Sequence, residues 1–397
     1  MTWNGSAEAR ADCILAAMPL ISRQSGPIAV YGATGYTGRL VVAELVEAGA
    51  DLVISGRNSE KLDALRADLR LDAPAVAARV DDPASLRNLL SDCAAVINCA
   101  GPFVLHGEPV LRAAVETSTH YLDTSGEQPW IRLAFERYGP GAADAGVAVI
   151  PAMGFDYVPG DVIAALTVEG MGEVDEVTIA YGWFDFQPSR GTMTSTLEIL
   201  SGEAVEWRKL QWLPAEKPLG AASFDFPEPI GRQRMLRYPA GEQITVPRHV
   251  ATRRVRTLLT ASTFAPTPRL AGLMQLLARP TGLALRTPLK RALRAAIARL
   301  PEGPTPEQRA ACHYTIVCEV TRGKEVRRGS LSGTDPYGIT AALIARGGVA
   351  AARSGFKRTG ALAPAQAFDP KDFLAGLERF KLGWQVDPAE RRVPVEV

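Results

Sequence analysis

The run Ile28-Ala-Val-Tyr-Gly-Ala-Thr-Gly-Tyr-Thr-Gly-Arg-Leu-Val-Val42 constrains this chain most, because an apolar strand feeds directly into glycines at 32, 35 and 38. Without a Cβ, Gly32 lets the strand turn sharply, Gly35 lets the backbone approach a diphosphate, and Gly38 lets the next helix pack on its strand. The N–H groups of that helix's first turn then face the anion, which makes Thr34, Tyr36 and Thr37 candidate contacts beside the glycines. Leu40, Val41, Leu45 and Val46 continue at helical spacing, so the motif sits in the strand-turn-helix context that gives it meaning.

The 397 residues allow two or three domains and a large core, and a net charge of +1 exerts no global pull toward nucleic acid. Cys13, Cys93, Cys99, Cys312 and Cys318 form no CxxC pair, as expected of buried thiols in a reducing, cytoplasmic compartment. His106, His120, His249 and His313 form no ligand-spaced cluster, so no metal is expected. In residues 1–26 a short apolar piece follows Glu8 and Asp12 and is interrupted by Pro19, which reads as an N-terminal extension and not a signal. No stretch of about 18 apolar residues runs without a charge or proline.

From Pro27 to about Pro151 the pattern alternates. Strands are predicted at Ile28–Tyr31, Leu52–Ser55, Val76–Val80, Ala95–Asn98, His120–Asp123 and Val147–Ile150, with helices near Arg39–Ala48, Ser59–Leu69, Pro83–Ser91, Gly107–Thr117 and Pro129–Ala145. That alternation predicts an α/β, Rossmann-type, doubly wound parallel sheet over residues 27–155. A second region, 156–333, is expected to carry the substrate side. In it Val177–Phe186 alternates like an antiparallel strand, Arg190–Glu206 reads as helix, and Tyr314–Val320 with Val326–Gly333 reads as a hairpin. Over 334–397 an apolar helix at Tyr337–Ala345 is expected to return to the first domain, followed by a surface tail with one helix at Pro370–Arg379.

Cofactor choice is settled at the end of the second strand, about 20 residues past the glycines, where a carboxylate would bond a ribose hydroxyl. Here stands Ser55-Gly56-Arg57-Asn58. Arg57 offers a planar charged fork to a 2′-phosphate and Ser55 and Asn58 offer hydrogen bonds, which favours NADP(H) over NAD; a solvated turn arginine is the alternative. Asp81 could bond the adenine amino group, although Asp82-Pro83 also reads as a helix start. The fourth strand ends in Asn98-Cys99-Ala100-Gly101-Pro102-Phe103, a turn of small residues at the sheet's carboxyl edge that would touch the nicotinamide half, with Phe103 toward the substrate; a purely structural turn is the alternative.

Several strings together resemble the saccharopine dehydrogenase-like oxidoreductase family, which includes bacterial trans-acting enoyl reductases. They are Tyr31-Gly-Ala-Thr-Gly-Tyr-Thr-Gly38, Ser55-Gly-Arg57, Asn98-Cys-Ala-Gly-Pro-Phe103, His120-Tyr-Leu-Asp-Thr-Ser-Gly-Glu127, Gly154-Phe-Asp-Tyr-Val-Pro-Gly-Asp161 and Ser189-Arg-Gly-Thr192. The resemblance implies an NADP-binding domain followed by a mixed α/β substrate domain, with hydride transfer at their junction. It leaves the substrate open between imines, enoyl thioesters and other compounds. The paired basic residues expected for a dicarboxylate amino acid are not evident.

Hydride transfer needs a group to answer the charge that develops on the acceptor, since the cofactor carries the hard step. Tyr157 is the first candidate proton donor, with Asp156 orienting its hydroxyl; an aromatic at a strand end also suits core. Asp161 could orient the same hydroxyl, but it reads first as a cap for a helix beginning near Val162. Glu127 and Phe155 are candidate substrate contacts, as are Ser189, Arg190 and Thr192, which open a helix and also suit an ordinary cap.

From Gln243 through Pro301 there is no Asp or Glu, while Arg248, Arg253, Arg254, Arg256, Lys290, Arg291, Arg294 and Arg299 are among its basic residues. This 243–301 segment suits an acidic carrier protein, a CoA-linked substrate or a peripheral membrane contact, or else arginines paired with acids elsewhere. The leading expectation is an NADPH-dependent reductase of a C=C or C=N bond in a small or thioester-linked metabolite, acting as a possible homodimer. The alternative is an NADP(H)-binding sensor or scaffold without turnover.

Overall fold

The computed structural model describes residues 24–215, 222–263 and 289–391. Residues 1–23, most of the expected extension, and 264–288, the middle of the basic segment, lie outside the described residues. The chain divides into two units. The first holds residues up to Ser125 with Leu133–Gly154 and Tyr337–Arg379; the second holds Gly126–Arg132, Phe155–Pro336 and the chain from Phe380. The expected boundaries near 155 and 334 therefore miss two returns to the second unit, 126–132, both of whose flanks belong to the first, and the chain from Phe380.

In the first unit, strands β1 (Ile28–Tyr31), β2 (Leu52–Gly56), β3 (Ala75–Ala77), β4 (Ala95–Asn98), β5 (His120–Asp123) and β6 (Ala148–Ile150) pair in parallel. With the short strand Gly360–Ala361 beside β6, the sheet order is 360–361, β6, β5, β4, β1, β2, β3. Ile28, Val30, Ile54, Ile97 and Val149 are fully buried, as the strands of a sheet covered on both faces must be. The order reverses between β4 and β1, which puts a crevice at their carboxyl ends. The apolar helix Pro336–Ala351 lies on this sheet through Gly347 and Gly348; a Cβ at 348 would stand 2.7 Å from Ile97 Cδ1 and one at 347 would stand 3.0 Å from Leu122 Cδ2. The expected surface tail is corrected. Phe368, Phe373, Leu374 and Leu377 are buried in the first unit and Phe380 in the second, where strand Gly383–Val386 extends the sheet.

The second unit is built on β7 (Glu176–Phe184). The helix expected through Glu206 runs only over Arg190–Ser201 and stops at Gly202, after which β8 (Val205–Arg208) and β9 (Gln211–Pro214) form a separate hairpin. Strands β10 (Ala222–Asp225), β11 (Arg232–Arg237), β12 (Val255–Thr260), β13 (His313–Arg322) and β14 (Glu325–Thr334) complete a sheet in the order β10, β11, β12, β7, β13, β14, 383–386. β7 is parallel to β12 and antiparallel to β13, so this sheet is mixed. Helix Val158–Val168 packs on β14 at Gly329, where a Cβ would come within 2.1 Å of Thr167 Oγ1.

The basic run is largely neutralised where it is described. Arg253 meets Glu173 at 3.1 Å, Arg254 and Arg256 meet Glu176 at 3.4 and 3.1 Å, and Lys290 meets Glu198 at 2.8 Å beside Arg294. The compensating acids come from distant stretches of sequence, which is why a local charge count misses them.

Candidate functional site

The glycine motif forms a cradle at the end of β1. Gly32 adopts φ +83°, open to glycine and strained for other residues, and a Cβ there would also press on Ala100 N at 3.0 Å. A Cβ at Gly38 would lie 2.2 Å from Gly32 O, so helix Tyr36–Glu47 reaches β1 only because residue 38 is glycine. At Gly35 the sole near neighbour is Gly32 O at 3.3 Å, which leaves that backbone open on its outer side. Gly35 is the N-cap and no side chain caps the helix, so its first-turn amides remain available to an anion. The helix begins three residues before the expected Arg39, which brings Tyr36 and Thr37 into this first turn. The Tyr36 ring lies edge-on to Tyr337 with centroids 5.2 Å apart, and Thr34 O accepts from Arg39 Nε at 3.3 Å.

The second-strand residues separate by role. Arg57 is exposed, and no bond from its guanidinium to another described residue is seen. Ser55 is fully buried, with its hydroxyl donating to Val76 O at 2.7 Å while its carbonyl accepts from the Gly32 and Ala33 amides. It shapes the turn, and its hydroxyl is committed inside. Gly56 ends β2 in a buried position, and Asn58 caps the next helix by accepting from Lys61 N at 2.9 Å. Both Asp81 oxygens face Arg79, at 2.9 Å from Nε and 2.6 Å from Nη2. Asp82 accepts from the Ala84 and Ser85 amides and starts the following helix.

The β4 turn is braced by a buried chain of polar groups. Asn98 Oδ1 accepts from Ala100 N at 3.0 Å, its amide donates to Tyr121 Oη at 3.1 Å, and Tyr121 donates to Asp123 Oδ2 at 2.9 Å. Asp123 Oδ1 in turn accepts from Ser125 N and Ala152 N at 2.9 and 3.1 Å. A fully satisfied network of this kind fixes one backbone shape. It holds Cys99, Ala100, Gly101 and Pro102 at the sheet edge ahead of the buried Phe103, which opens helix Phe103–Glu116. Desolvation pushes the Cys99 thiol up to about 12, so it lines the turn as a small neutral group and not as a thiolate. His120 accepts from Ala148 N at 2.9 Å and is a structural residue of β5.

A second cluster lies wholly within the second unit. Tyr157 is 1% exposed and its hydroxyl donates to Gly126 O at 2.6 Å, so the first-choice proton donor is spent on a carbonyl. Burial raises its phenol well above the ordinary tyrosine range, with the nearby Tyr238, Asp156 and Glu242 reinforcing the shift. Its ring passes under Gly241, where a Cβ would meet ring carbons at 2.8 to 2.9 Å. A Cβ at Gly126 would find Tyr157 Oη at 3.6 Å and Asp156 Oδ2 at 3.7 Å, so both groups flank that glycine. Asp156 still reaches solvent, yet the protein crowded around it removes hydration and pushes its carboxyl up to about 6. Glu127, also buried, accepts from Ser195 Oγ at 2.9 Å and from Gly126 N at 3.2 Å.

Deeper in the unit, Tyr181 donates a short hydrogen bond to Glu242, and burial holds that carboxyl well above its usual range. A Cβ at Gly160 would lie 2.3 Å from Glu242 Oε1 and 2.5 Å from Tyr181 Oη, so this pair requires the glycine. Asp161 is not the expected cap. The helix starts at Val158, and buried Asp161 instead faces His249 Nε2 at 2.8 Å. Phe155 packs against Tyr314 with centroids 4.4 Å apart. Ser189 caps helix Arg190–Ser201 by accepting from Thr192 N at 3.1 Å, and Arg190 pairs with Glu302 at 3.1 Å, so these residues behave as an ordinary helix start. The sequence carried no local sign of Ser195, Tyr238 or Glu242 in these networks, because each partner comes from a distant element. Among the described residues no group of three or more His, Cys, Asp or Glu side chains could hold a metal, and no helix is long and apolar enough to cross a membrane.

Residues 28–150 match the family described as the saccharopine dehydrogenase NADP binding domain. A protein named as a trans-acting enoyl reductase in Mycobacterium tuberculosis is 32% identical over 184 residues, 44% of each chain. The human saccharopine dehydrogenase-like oxidoreductase is 34% identical over 151 residues, 34% of this chain and 35% of the relative. The chain thus spans less than half the length of these curated relatives. Apo saccharopine dehydrogenase (L-Glu forming) from Saccharomyces cerevisiae aligns over 91% of this chain and 100% of its own with a TM-score of 0.57 at 14% identity, which is a likeness of fold. Residues 28–150 thus match an NADP-binding domain as that of saccharopine dehydrogenase is described, and beyond them the likeness to the yeast enzyme is one of fold.

Proposed function

We propose that this chain is an NADPH-dependent oxidoreductase that reduces a C=C or C=N bond of a small or thioester-linked metabolite. The observation that carries the reading is the cradle of Gly32, Gly35 and Gly38 with an exposed Arg57 at the end of β2, inside a matched NADP-binding domain. The first-turn amides after Gly35 would hold the diphosphate and Arg57 the 2′-phosphate. NADPH, when bound, supplies the hydride.

The chain's own residues supply the proton. Asp156 is the candidate donor, because its carboxyl reaches solvent and is pushed up to about 6, which keeps a fraction of it protonated near neutral pH where an ordinary carboxyl has almost none. Tyr157 has a positioning role, since its bond to Gly126 O pins the turn that leads into Glu127. The carboxyl side chains Asp156 and Glu127 both lie at Gly126, which disfavours an anionic acceptor and suits a neutral enoyl group or an imine that gains positive charge. Of the basic groups expected on the substrate side, Arg190 is tied to Glu302, and Lys290 and Arg294 to Glu198.

The test is loss of reduced-nicotinamide absorbance with a panel of enoyl thioesters and cyclic imines, alongside NADPH binding by fluorescence. Turnover of one class, abolished in Asp156→Asn with binding intact, supports the reading. Tight NADPH binding with no consumption across both classes would instead establish a sensor.

A further inference from the structure

We propose that Arg79 is a second ligand for the 2′-phosphate of NADPH, oriented by Asp81 and acting beside Arg57. This rests on the NADPH reading above. The strand register brings the two arginines to one edge. Gly56 pairs with Ala77, and Ala78 N donates to Gly56 O at 3.0 Å, so the chain carrying Arg79 leaves β3 alongside the chain carrying Arg57 as it leaves β2. Neighbouring strands lie about 5 Å apart, well within the reach of two arginine side chains. The Tyr31 phenol marks the meeting point: its hydroxyl donates to Ala78 O at 3.3 Å, and Arg57, Arg79 and Asp81 all act on it electrostatically.

The ion pair suits Arg79 to this task. Asp81 takes Nε and Nη2 of the guanidinium, which fixes the plane of the fork and leaves Nη1 with no hydrogen bond seen to another described residue. Arg79 and Asp81 are 62% and 64% exposed, so the pair contributes little to folding and stays open to a ligand. A phosphate dianion recognises two guanidinium groups better than one, and a fork held by a carboxylate loses less freedom on binding. Asp81 was the candidate contact for the adenine amino group, but its two oxygens are already engaged. Its role becomes that of a positioning residue for the charge that reads the extra phosphate.

The experiment measures Kd for NADPH, NADH, 2′,5′-ADP and 5′-AMP by fluorescence titration and displacement, with melting curves confirming that the surface variants fold. Arg79→Ala is expected to weaken NADPH and 2′,5′-ADP about tenfold and to leave NADH and 5′-AMP within about twofold, the size of one charge-assisted hydrogen bond. Asp81→Asn should lose about threefold with the same selectivity, as expected of a group that acts through another. Equal losses for 5′-AMP and 2′,5′-ADP in Asp81→Asn would return Asp81 to the adenine, and an unchanged NADPH affinity in Arg79→Ala would overturn the proposal. If the unmodified protein itself prefers neither NADPH nor 2′,5′-ADP, the cofactor reading fails first. If Arg57→Ala is selective and Arg79→Ala is not, only the present inference fails.

Discussion

The two units hold their candidate chemistry in different materials. In the first, the site is mostly backbone: glycines that admit a turn and a close helix, amides left uncapped, and exposed guanidinium groups just past β2 and β3. In the second, it is buried side chains, with Tyr157, Glu127, Glu242 and Tyr181 engaged with partners from other elements. A backbone site is specified by a few residues close together in sequence, whereas a side-chain network exists only once distant elements meet. The first kind tolerates variation around it and the second propagates any single loss.

Glycine substitutions test this contrast most severely. Gly38→Ala puts a Cβ 2.2 Å from Gly32 O, and it should cost about 3 kcal/mol or more in chemical denaturation and abolish NADPH binding. Gly160→Ala crowds Glu242 at 2.3 Å and should cost about 2 kcal/mol, but with NADPH affinity retained. If Gly160→Ala removed cofactor binding as fully as Gly38→Ala, the assignment of separate tasks would be wrong. Arg57→Ala should weaken NADPH by about 10- to 100-fold, with NADH nearly unaffected and the melting temperature unchanged. Equal losses for both nucleotides would remove Arg57 from the 2′-phosphate.

Proton supply from Asp156 gives a pH signature. Its folded carboxyl titrates at about 6, above its ordinary 3.8, so the protonated donor is lost and reductive turnover should fall as pH rises through about 6. The same shift means that its contribution to stability is complete below the ordinary value and declines as pH climbs to about 6. Asp156→Asn should flatten that decline in pH-dependent melting and remove the limb from the rate profile. The smallest effect is expected for Glu242→Gln. Burial holds that carboxyl well above its usual range and so favours its uncharged form, and an uncharged amide of the same shape should cost under about 1 kcal/mol, while Glu242→Ala costs several times more.

Much of the first unit could be read from the sequence because its signals are local. Apolar runs such as Ile28–Tyr31 and Ala95–Asn98 end at glycines or small residues, and each became a strand with the expected bounds. The helix start was misjudged by three residues because Gly35 caps it without a side chain, leaving no polar signature. The C-terminal stretch misled because Phe368, Phe373 and Phe380 are buried without helical or strand periodicity, between prolines that look like surface turns. The strand Val205–Arg208 was hidden by apolar spacing that continued the helical rhythm past Gly202. In the second unit, Asp156 and Tyr157 were visible as candidates, but which one keeps a usable proton depends on a carbonyl thirty-one positions away. No pattern in the string announces that pairing.

The 126–132 excursion bears on how this protein must be made. The polypeptide passes from one unit to the other after Ser125, Arg132, Gly154, Pro336 and Arg379, so neither is a continuous length of chain. A ribosome that has released residues 1–155 has delivered six parallel strands but not Gly360–Ala361, the edge partner of β6, nor the helix bearing Gly347 and Gly348. The nucleotide-binding half therefore waits for the far end of its own message before it can close, and a gene cut near codon 155 should yield an aggregating fragment instead of a small working domain.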